Sequence, residues 1–258
     1  MLRADSHLLD SLIDIARQAA AEIMTIYASD FAVETKDDAS PVTEADRRAE
    51  TIILKGLASA APGVPVLAEE SAAAGRGPAL GETFFLVDPL DGTREFIGRN
   101  GEFTVNIALI HRGAPVLGVV HAPATERLYA GGEDIGAFRL DLACAKRTAI
   151  KARRPEGGLV AVVSRSHRTA KTDAYLQNIG ATSFVEAGSS LKFCLIAEGA
   201  ADIYPRLGRT MEWDTGAGQA VLEAAGGRVV VHPSGERLTY GKTERGFDNP
   251  SFVAWGGA

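Results

Sequence analysis

The sequence predicts an α/β fold, and two patterns carry that prediction. Beyond residue 158, short apolar strands alternate with amphipathic helices, which is the order expected of a sheet with helical layers. Before that point, two long helical periodicities precede a buried strand and a series of short β segments separated by Gly and Pro turns. At 258 residues, the chain is long enough for one large domain or two modest ones.

The N-terminal half begins with two predicted helices. The first has apolar residues at helical spacing from Leu8 to Tyr27, with Asp5 or Ser6 as its N-cap. The second begins near Thr43 and stops at Pro62-Gly63. Residues 37–41 are expected to form a polar loop. The predicted strands of this half are 31–36, 64–68, 84–87, 103–110, 116–121, 127–130 and 136–140, and a short helix is expected at 93–97.

The C-terminal half starts after a change in composition. Residues 146–158 are basic and rich in Gly and Pro, so we place a domain boundary there and expect an N-terminal domain at 1–146 and a C-terminal domain at 147–258. The predicted strands of this half are 159–164, 184–185, 201–204 and 228–232, and the predicted helices are 170–179, 190–198 and 215–225.

Composition excludes several classes of protein. A net charge of −6 argues against a general nucleic-acid binder. No apolar stretch is long enough to span a bilayer, and the first residues lack the apolar core of a signal peptide. Cys144 and Cys194 form no metal or redox motif. We therefore expect a cytoplasmic protein with reduced thiols, with one disulfide as the alternative.

Residues 88–93, with the sequence DPLDGT, are the most informative segment. They follow the apolar residues 84–87, and Pro89 is expected to stop that strand. Gly92 allows a sharp turn with close backbone approach to a ligand, and Thr93 opens a predicted helix. Two carboxylates beside an open helix N-terminus suit a divalent cation next to a phosphate. By itself, however, a D-x-x-D-G segment more often forms an ordinary turn.

Further carboxylates fall where predicted elements end or begin. They are Asp46, Glu69-Glu70 and Asp214, in addition to Asp88 and Asp91. An all-oxygen cluster favours Mg²⁺ over Zn²⁺, and two such ions are a common device for phosphoryl hydrolysis. The alternatives are structural: Asp46 completes a capping box with Thr43, Asp214 caps a helix, and Glu70 is a solvated neighbour of Glu69.

The order and spacing of these motifs resemble the Mg²⁺-dependent, Li⁺-sensitive inositol monophosphatase superfamily over nearly the whole chain. The matching residues are Lys36, the PVTEAD segment at 41–46, Glu69-Glu70, the DPLDGT segment, Trp213-Asp214 and Gly226-Gly227. The resemblance implies a five-layer αβαβα sandwich. It also implies two or three Mg²⁺ ions, the third recruited by Lys36 and the loop that follows it.

The resemblance implies a role for each residue of the site. Glu69, Asp88 and the Leu90 carbonyl would hold the first Mg²⁺, and Asp88, Asp91 and Asp214 the second. The amides of Gly92 and Thr93 would bind phosphate. The Thr93 hydroxyl, supported by Asp46, and Glu69 would orient and deprotonate a metal-activated water, which makes these three the predicted catalytic residues. The predicted substrate-binding residues are Leu90, Asp91, Gly92, Thr93, Ser164, His167, Ser189, Lys192, Arg206 and Asp214.

Arg206 bears on the substrate. In inositol monophosphatases a glutamate that grips sugar hydroxyls precedes the Trp-Asp pair, whereas this chain has Arg206. A guanidinium donates to anions, so the change favours a second phosphate over a neutral polyol, unless Arg206 is simply a paired surface arginine. Residues 164–167, 188–194 and 204–206 resemble the 3′(2′),5′-bisphosphate nucleotidase branch, particularly its bacterial sulfur-assimilation members. In that branch, Ser164, His167, Ser189 and Lys192 would contact the nucleoside and its distal phosphate.

The expected activity is therefore hydrolysis of 3′-phosphoadenosine 5′-phosphate to AMP and phosphate. The alternatives are an inositol monophosphatase or fructose-1,6-bisphosphatase of the same fold, an enzyme of broad specificity, and a non-catalytic nucleotide or metal-binding protein. A small-molecule nucleotide is the expected partner. A homodimer is a further expectation, because relatives often form oligomers.

Overall fold

The computed structural model describes residues 3–35, 41–166 and 168–257. The helices in this part of the chain are α1 (Ser6–Tyr27), α2 (Glu44–Ala60), α3 (Glu69–Ala73), α4 (Thr93–Ile97), α5 (Ala170–Asn178), α6 (Leu191–Ala197) and α7 (Gly216–Ala224). The strands are β1 (Val33–Thr35), β2 (Pro41–Thr43), β3 (Val66–Ala68), β4 (Thr83–Asp91), β5 (Thr104–His111), β6 (Ala114–Ala122), β7 (Arg127–Gly132), β8 (Gly136–Asp141), β9 (Lys146–Ile150), β10 (Leu159–Ser164), β11 (Ala181–Ala187), β12 (Ile203–Arg206), β13 (Arg228–Val231) and β14 (Phe252–Trp255).

The strands form two large sheets and one small ribbon. The first sheet has seven strands in the order β3-β4-β5-β6-β7-β8-β9, parallel only between β3 and β4. The second has five strands in the order β11-β10-β12-β14-β13, with β10 parallel to both of its neighbours. Strands β1 and β2 pair with each other just before α2. Both large sheets are therefore mixed, each with parallel and antiparallel pairs.

Strand β4 shows how the layers are stacked. Phe85 and Val87 pack against α1 and α2, while Phe84 and Leu86 pack on the opposite face against α6 and α7. The first sheet is thus buried on both faces, which explains why residues 84–87 are continuously apolar instead of alternating with polar residues.

The second sheet completes the stack. Tyr204 and Phe252 belong to the same core as α6 and α7, whereas Ile203 and Val253 face Leu176 of α5 on the outer side. The order of layers is α1/α2, seven-stranded sheet, α6/α7, five-stranded sheet and α5. The predicted five-layer αβαβα sandwich is confirmed.

Several elements differ from the sequence prediction. Strands β9 and β14 and the short helix α3 were not predicted, and Pro41 belongs to β2, not to a loop. Strand β9 extends the first sheet as far as Ile150. The division into residues 1–146 and 147–258 stays a proposal, and the crossing to the second sheet follows β9.

Three smaller expectations bear on the described residues. Cys144 is exposed and Cys194 is buried, and both are free thiols, so the alternative of a disulfide is wrong. No helix in the described ranges combines the length and the apolar character needed to cross a membrane. The N-cap of α1 is Asp5, whose Oδ1 accepts a hydrogen bond of 3.0 Å from the Leu8 amide.

Candidate active site

A cleft of about 790 Å³ opens where β3, β4 and β10 end. The expected site residues on its wall are Glu69, Asp91, Gly92, Thr93, Ser164, Ser189, Lys192, Arg206 and Asp214. Asp46, Asp88 and Leu90 are buried, with at most 2% of each residue exposed. His167 and Lys36 lie outside the described residues. The structure therefore brings side chains from distant segments to one cleft, at the strand ends where ligands gather in α/β folds.

A β-bulge shapes the DPLDGT segment. Asp88 pairs with Asn106 and Asp91 pairs with Thr104, so two residues of β4 face one residue of β5. The expectation that Pro89 ends the strand at residue 87 is wrong. Proline is tolerated because it falls in the bulge, where no ladder hydrogen bond is needed. The Leu90 amide instead donates to Oδ1 of Asp88 at 3.0 Å.

Gly92 connects the bulge to α4. Its φ of 91° lies in the left-handed region, which a side chain would disfavour. A Cβ atom there would also lie 3.3 Å from the Glu95 carboxylate and 3.4 Å from the Glu102 carbonyl oxygen. The turn therefore needs glycine, and Gly92 and Thr93 both line the cleft.

Asp46 has two sets of contacts. Its Oδ2 accepts from the Thr43 amide at 2.8 Å and from the Thr43 hydroxyl at 2.7 Å, which completes the capping box of α2. Its Oδ1 accepts from the Thr93 hydroxyl at 3.2 Å. The structural alternative for Asp46 is thus confirmed, and the same carboxylate also holds Thr93.

Glu69 is positioned by the first turn of α3. The Glu70 amide donates to Oε2 of Glu50 at 2.8 Å, and the Ser71 hydroxyl donates to Oε1 of Glu50 at 2.5 Å. Burial raises the pKa of Glu50, and these two hydrogen bonds act in the opposite direction. Helix α2 thereby fixes the start of α3, and with it the side of the cleft on which Glu69 lies.

The carboxylates influence one another electrostatically. Burial raises the pKa of Asp88 well above its ordinary value, and the charges of Glu69, Asp91 and Asp214 raise it further. Burial and the charge of Asp91 likewise raise the pKa of Asp214, which also accepts a hydrogen bond from the Met211 amide at 2.9 Å. Buried carboxylates of like charge are stabilised in the ionised form when a cation lies between them.

The chemistry of this donor set fits Mg²⁺, since it consists of carboxylate oxygens and a backbone carbonyl. Across residues 3–35, 41–166 and 168–257, however, no three acidic, histidine or cysteine side chains are grouped in a geometry that would hold a metal ion as they stand. The buried Asp88 and Asp214 nevertheless share one environment with Glu69 and Asp91, whose charges raise the pKa of both.

Three neighbours orient Asp91, and all of them contact its Oδ2. The Asn106 amide donates at 3.3 Å, the Ser189 hydroxyl at 2.7 Å and the Ser190 hydroxyl at 3.0 Å. These contacts leave Oδ1 of Asp91 for a ligand. Ser189 has a φ of 52°, so its backbone is held in the left-handed region to make this contact.

Sequence reasoning missed Asn106 and Ser190. Asn106 is a polar residue in an apolar strand, and Thr104 lies two positions before it on the same face. Because side chains alternate across a strand, that spacing of two is a signal that could have pointed to Asn106, whereas no comparable pattern marks Ser190. The Ser190 hydroxyl also lies 2.7 Å from the Asp214 carbonyl oxygen, so its one proton is shared between that oxygen and Asp91, two of the predicted metal-ligand residues.

Four cationic residues line the cleft, and Lys192 and Arg206 are more buried than the exposed Arg94 and Arg209. Lys192 is only 6% exposed, and burial lowers its pKa to about 8, while the charge of Asp91 opposes that shift. Its ammonium donates to the Ser189 carbonyl and lies 5.5 Å from the centre of the Tyr204 ring. Most lysines on helices are solvated, whereas the side chain of Lys192 is buried.

Arg206 is half-buried on the same cleft. Its Nη2 donates to the Arg209 carbonyl at 2.7 Å. Its Nε is buried and has no hydrogen-bond partner within the part of the chain that the structure describes. A buried guanidinium donor without a partner is costly unless a ligand meets it, so Arg206 is suited to an anion.

The layered fold and the acid-lined cleft define a class of protein, and comparison with known families gives the same result. A sequence model of the inositol monophosphatase family matches residues 5–252, and the chain belongs to this family. It is 46% identical over 248 residues to the 3′(2′),5′-bisphosphate nucleotidase CysQ of Escherichia coli strain K12, covering 95% of this chain and 98% of that protein.

Solved structures show the same likeness. CysQ from Bacteroides thetaiotaomicron superposes with a TM-score of 0.82 at 37% identity, over 97% of each chain. An inositol monophosphatase from Anabaena superposes with a TM-score of 0.75 at 24% identity, over 96% of this chain and 90% of that one. At that identity the second likeness establishes the fold alone.

Proposed function

We propose that this chain is a 3′(2′),5′-bisphosphate nucleotidase, a phosphoric monoester hydrolase that converts 3′-phosphoadenosine 5′-phosphate to AMP and phosphate. The observation that carries the proposal is the presence of two buried or half-buried cations, Lys192 and Arg206, in the same cleft as the carboxylates. A substrate with two phosphates needs one site for the reacting phosphate and another for the distal one. The names and identities of the relatives support the same assignment.

Mg²⁺ is the proposed cofactor. Two or three ions are proposed. The residues that would hold them are Glu69, Asp88, Asp91, Asp214 and, through its carbonyl, Leu90. When bound, Mg²⁺ would lower the pKa of the attacking water and neutralise charge on the leaving oxygen. The other steps belong to the side chains and amides of this protein.

Thr93 is placed to orient the attacking water. A hydroxyl has one proton and two lone pairs, and Thr93 gives its proton to Asp46. Its oxygen is therefore left to accept a hydrogen bond from the water, which aligns the nucleophile. Glu69, on the cleft wall, is the proposed group that takes the proton from that water.

The proposed phosphate contacts are supported by the position of α4 and of the cationic side chains at the cleft. The amides of Gly92 and Thr93 begin α4 and face the reacting phosphate, while Lys192 and Arg206 face the distal one. Ser164 and His167 are proposed nucleoside contacts. Ser189 gives its hydroxyl proton to Asp91, so the contribution of that hydroxyl to the nucleotide is to accept a hydrogen bond.

Comparative turnover tests the proposal. We expect kcat/KM at saturating Mg²⁺ to be higher for 3′-phosphoadenosine 5′-phosphate than for inositol 1-phosphate or fructose 1,6-bisphosphate. A preference for either of the latter two would reject the substrate assignment. Asp91→Asn should abolish turnover of all three, because the change removes a metal ligand, and retained turnover would point to a non-catalytic binding protein or a different site.

Several finer properties are part of the same proposal. They are inhibition by Li⁺, a role in clearing a by-product of bacterial sulfur assimilation, a cytoplasmic location and a homodimer. Li⁺ inhibition can be measured in the same turnover assay, and the oligomeric state by light scattering.

A further inference from the structure

Glu95 is a cleft residue that the roles above leave unused. It lies on α4, two positions after Thr93, and it lines the cleft although only 5% of the residue is exposed. Its Oε1 accepts a hydrogen bond of 2.5 Å from the Ser166 hydroxyl. Its Oε2 lies toward Gly92, 3.3 Å from the position that a Cβ of that glycine would occupy.

The surroundings of Glu95 hold it in this place. A Cβ atom at Gly188 would come within 2.9 Å of Cγ of Glu95, so the glycine leaves the space that the side chain fills. Ser166 belongs to the second sheet's side of the cleft and fixes one carboxylate oxygen. The other oxygen is therefore directed along the turn that precedes α4.

The charge of Glu95 is unexpected beside a phosphate site. The start of a helix favours an anion, and a carboxylate next to it repels phosphate oxygens. A carboxylate accepts hydrogen bonds and donates none, so it cannot contact the phosphate itself. The substrate group that it can contact is a hydroxyl close to the phosphate that sits against Gly92.

We propose that Glu95 is a specificity residue that accepts a hydrogen bond from the sugar hydroxyl adjacent to the scissile ester, the 2′-hydroxyl when the 3′-phosphate is cleaved. This inference rests on the proposed function and adds to it a rule of recognition. The enzyme selects a vicinal hydroxyl-phosphate pair, with the amides of Gly92 and Thr93 on the phosphate and Glu95 on the hydroxyl.

Paired substrates test this rule. We compare kcat/KM for 3′-phosphoadenosine 5′-phosphate and for 2′-deoxyadenosine 3′,5′-bisphosphate, which lacks the hydroxyl. The wild type should prefer the hydroxylated substrate by about 10- to 100-fold, the range expected for a hydrogen bond to a charged acceptor. Glu95→Ala should reduce that preference to less than about threefold, and Glu95→Gln, a neutral acceptor, should give an intermediate value.

The controls separate recognition from a general loss of structure. Glu198→Ala removes another partly buried carboxylate, one that pairs with Arg139 and Tyr129 outside the cleft, and it should keep the full preference. Ser166→Ala removes the hydroxyl that holds one oxygen of Glu95, and it should lower the preference for the hydroxylated substrate by about threefold. Because Ser166 is exposed, this variant tests the proposal also in the case that Glu95→Ala does not fold.

Two results would overturn the inference. One is a wild type that does not distinguish the two nucleotides, and the other is an equal loss on both nucleotides in Glu95→Ala. Failure of the proposed function would look different, because it would appear as faster turnover of inositol 1-phosphate by the wild type, whatever the ratio between the two nucleotides.

Discussion

The Thr93 hydroxyl donates to Oδ1 of Asp46 over 3.2 Å, although the two residues are 47 positions apart in the sequence. The other oxygen of the same carboxylate closes the capping box at the start of α2. One side chain thus joins the stability of a helix to the orientation of a cleft hydroxyl. The two functions can be separated by mutation.

Thr93→Val should lower kcat by about 100-fold or more, because it removes the oxygen that we propose orients the water and keeps the shape of the side chain. Its melting temperature should stay close to that of the wild type, since Thr93 does not cap α2. Thr93→Ser keeps the hydroxyl and should retain most of the activity. The measurements are steady-state kinetics and thermal unfolding of the same preparations.

Asp46→Ala is the companion variant. It should lose activity like Thr93→Val and should also lose about 0.5–2 kcal/mol of unfolding free energy, because the capping box is broken. If Asp46→Ala lost stability and kept full activity, the contact with Thr93 would have no catalytic role.

Asn106 should affect metal binding without contacting the metal. It donates to Oδ2 of Asp91 and also to the Ser190 hydroxyl on that same oxygen, so Asn106→Ala should loosen the hold on the carboxylate. We expect the Mg²⁺ concentration at half-maximal turnover to rise by about 10- to 100-fold, as for other residues that orient a metal ligand. Asn100→Ala, a change at an exposed asparagine, should leave the Mg²⁺ dependence unchanged. A fall in kcat at saturating Mg²⁺ with no change in Mg²⁺ dependence would contradict this role.

The sequence predicted the parts of the fold that have strong local patterns. Helix α1 has a clear apolar stripe and an N-cap, and α2 has a capping box, so both were found. Strands β9 and β14 were missed because their places depend on pairing with distant strands. β14, for example, inserts between β12 and β13.

The residues of the candidate site likewise fall into those that the sequence could predict and those that it could not. The acidic residues of the DPLDGT segment could be predicted because motif order and spacing are visible in the sequence. The contacts of Asn106 and Ser190 with Asp91 could not, since they follow from the register of β5 against β4 and from a turn more than 80 residues away. The direction of the Ser189 hydroxyl, toward Asp91, is likewise set by a left-handed backbone that no motif reveals.

Lys192 predicts a pH dependence of substrate selection. Its pKa of about 8 in the folded protein means that the ammonium is charged below that pH and loses its charge above it. Attraction for the distal phosphate should therefore weaken as the pH rises through about 8. We expect the ratio of kcat/KM for 3′-phosphoadenosine 5′-phosphate to kcat/KM for 3′-AMP, which lacks the 5′-phosphate, to fall over this range.

The ratio isolates Lys192 because ionisation of the carboxylates and of the attacking water affects both substrates. Lys192→Met should remove both the preference for the bisphosphate and its pH dependence, whereas a conservative change at the exposed Lys55 to Met should keep them. A packing role for the lysine would give a different result. The ratio would be flat with pH in the wild type, and Lys192→Met would lower kcat/KM equally for both substrates.

Arg206→Glu should reverse the charge that meets the distal phosphate. Arg206 lines the cleft, and its buried Nε has no partner among the described residues, so we expect its guanidinium to interact with a substrate phosphate. We expect kcat/KM for 3′-phosphoadenosine 5′-phosphate to fall by about 100-fold or more, since attraction becomes repulsion in a partly buried site. For 3′-AMP the loss should be less than about fivefold, because that substrate has no second phosphate for the guanidinium to bind. Arg112→Glu, a change at an exposed arginine that pairs with Glu82 and does not line the cleft, is the matched control and should leave the ratio between the two substrates unchanged. Equal losses on both substrates in Arg206→Glu would instead place Arg206 near the reacting phosphate, where its charge would act on every ester that the cleft accepts.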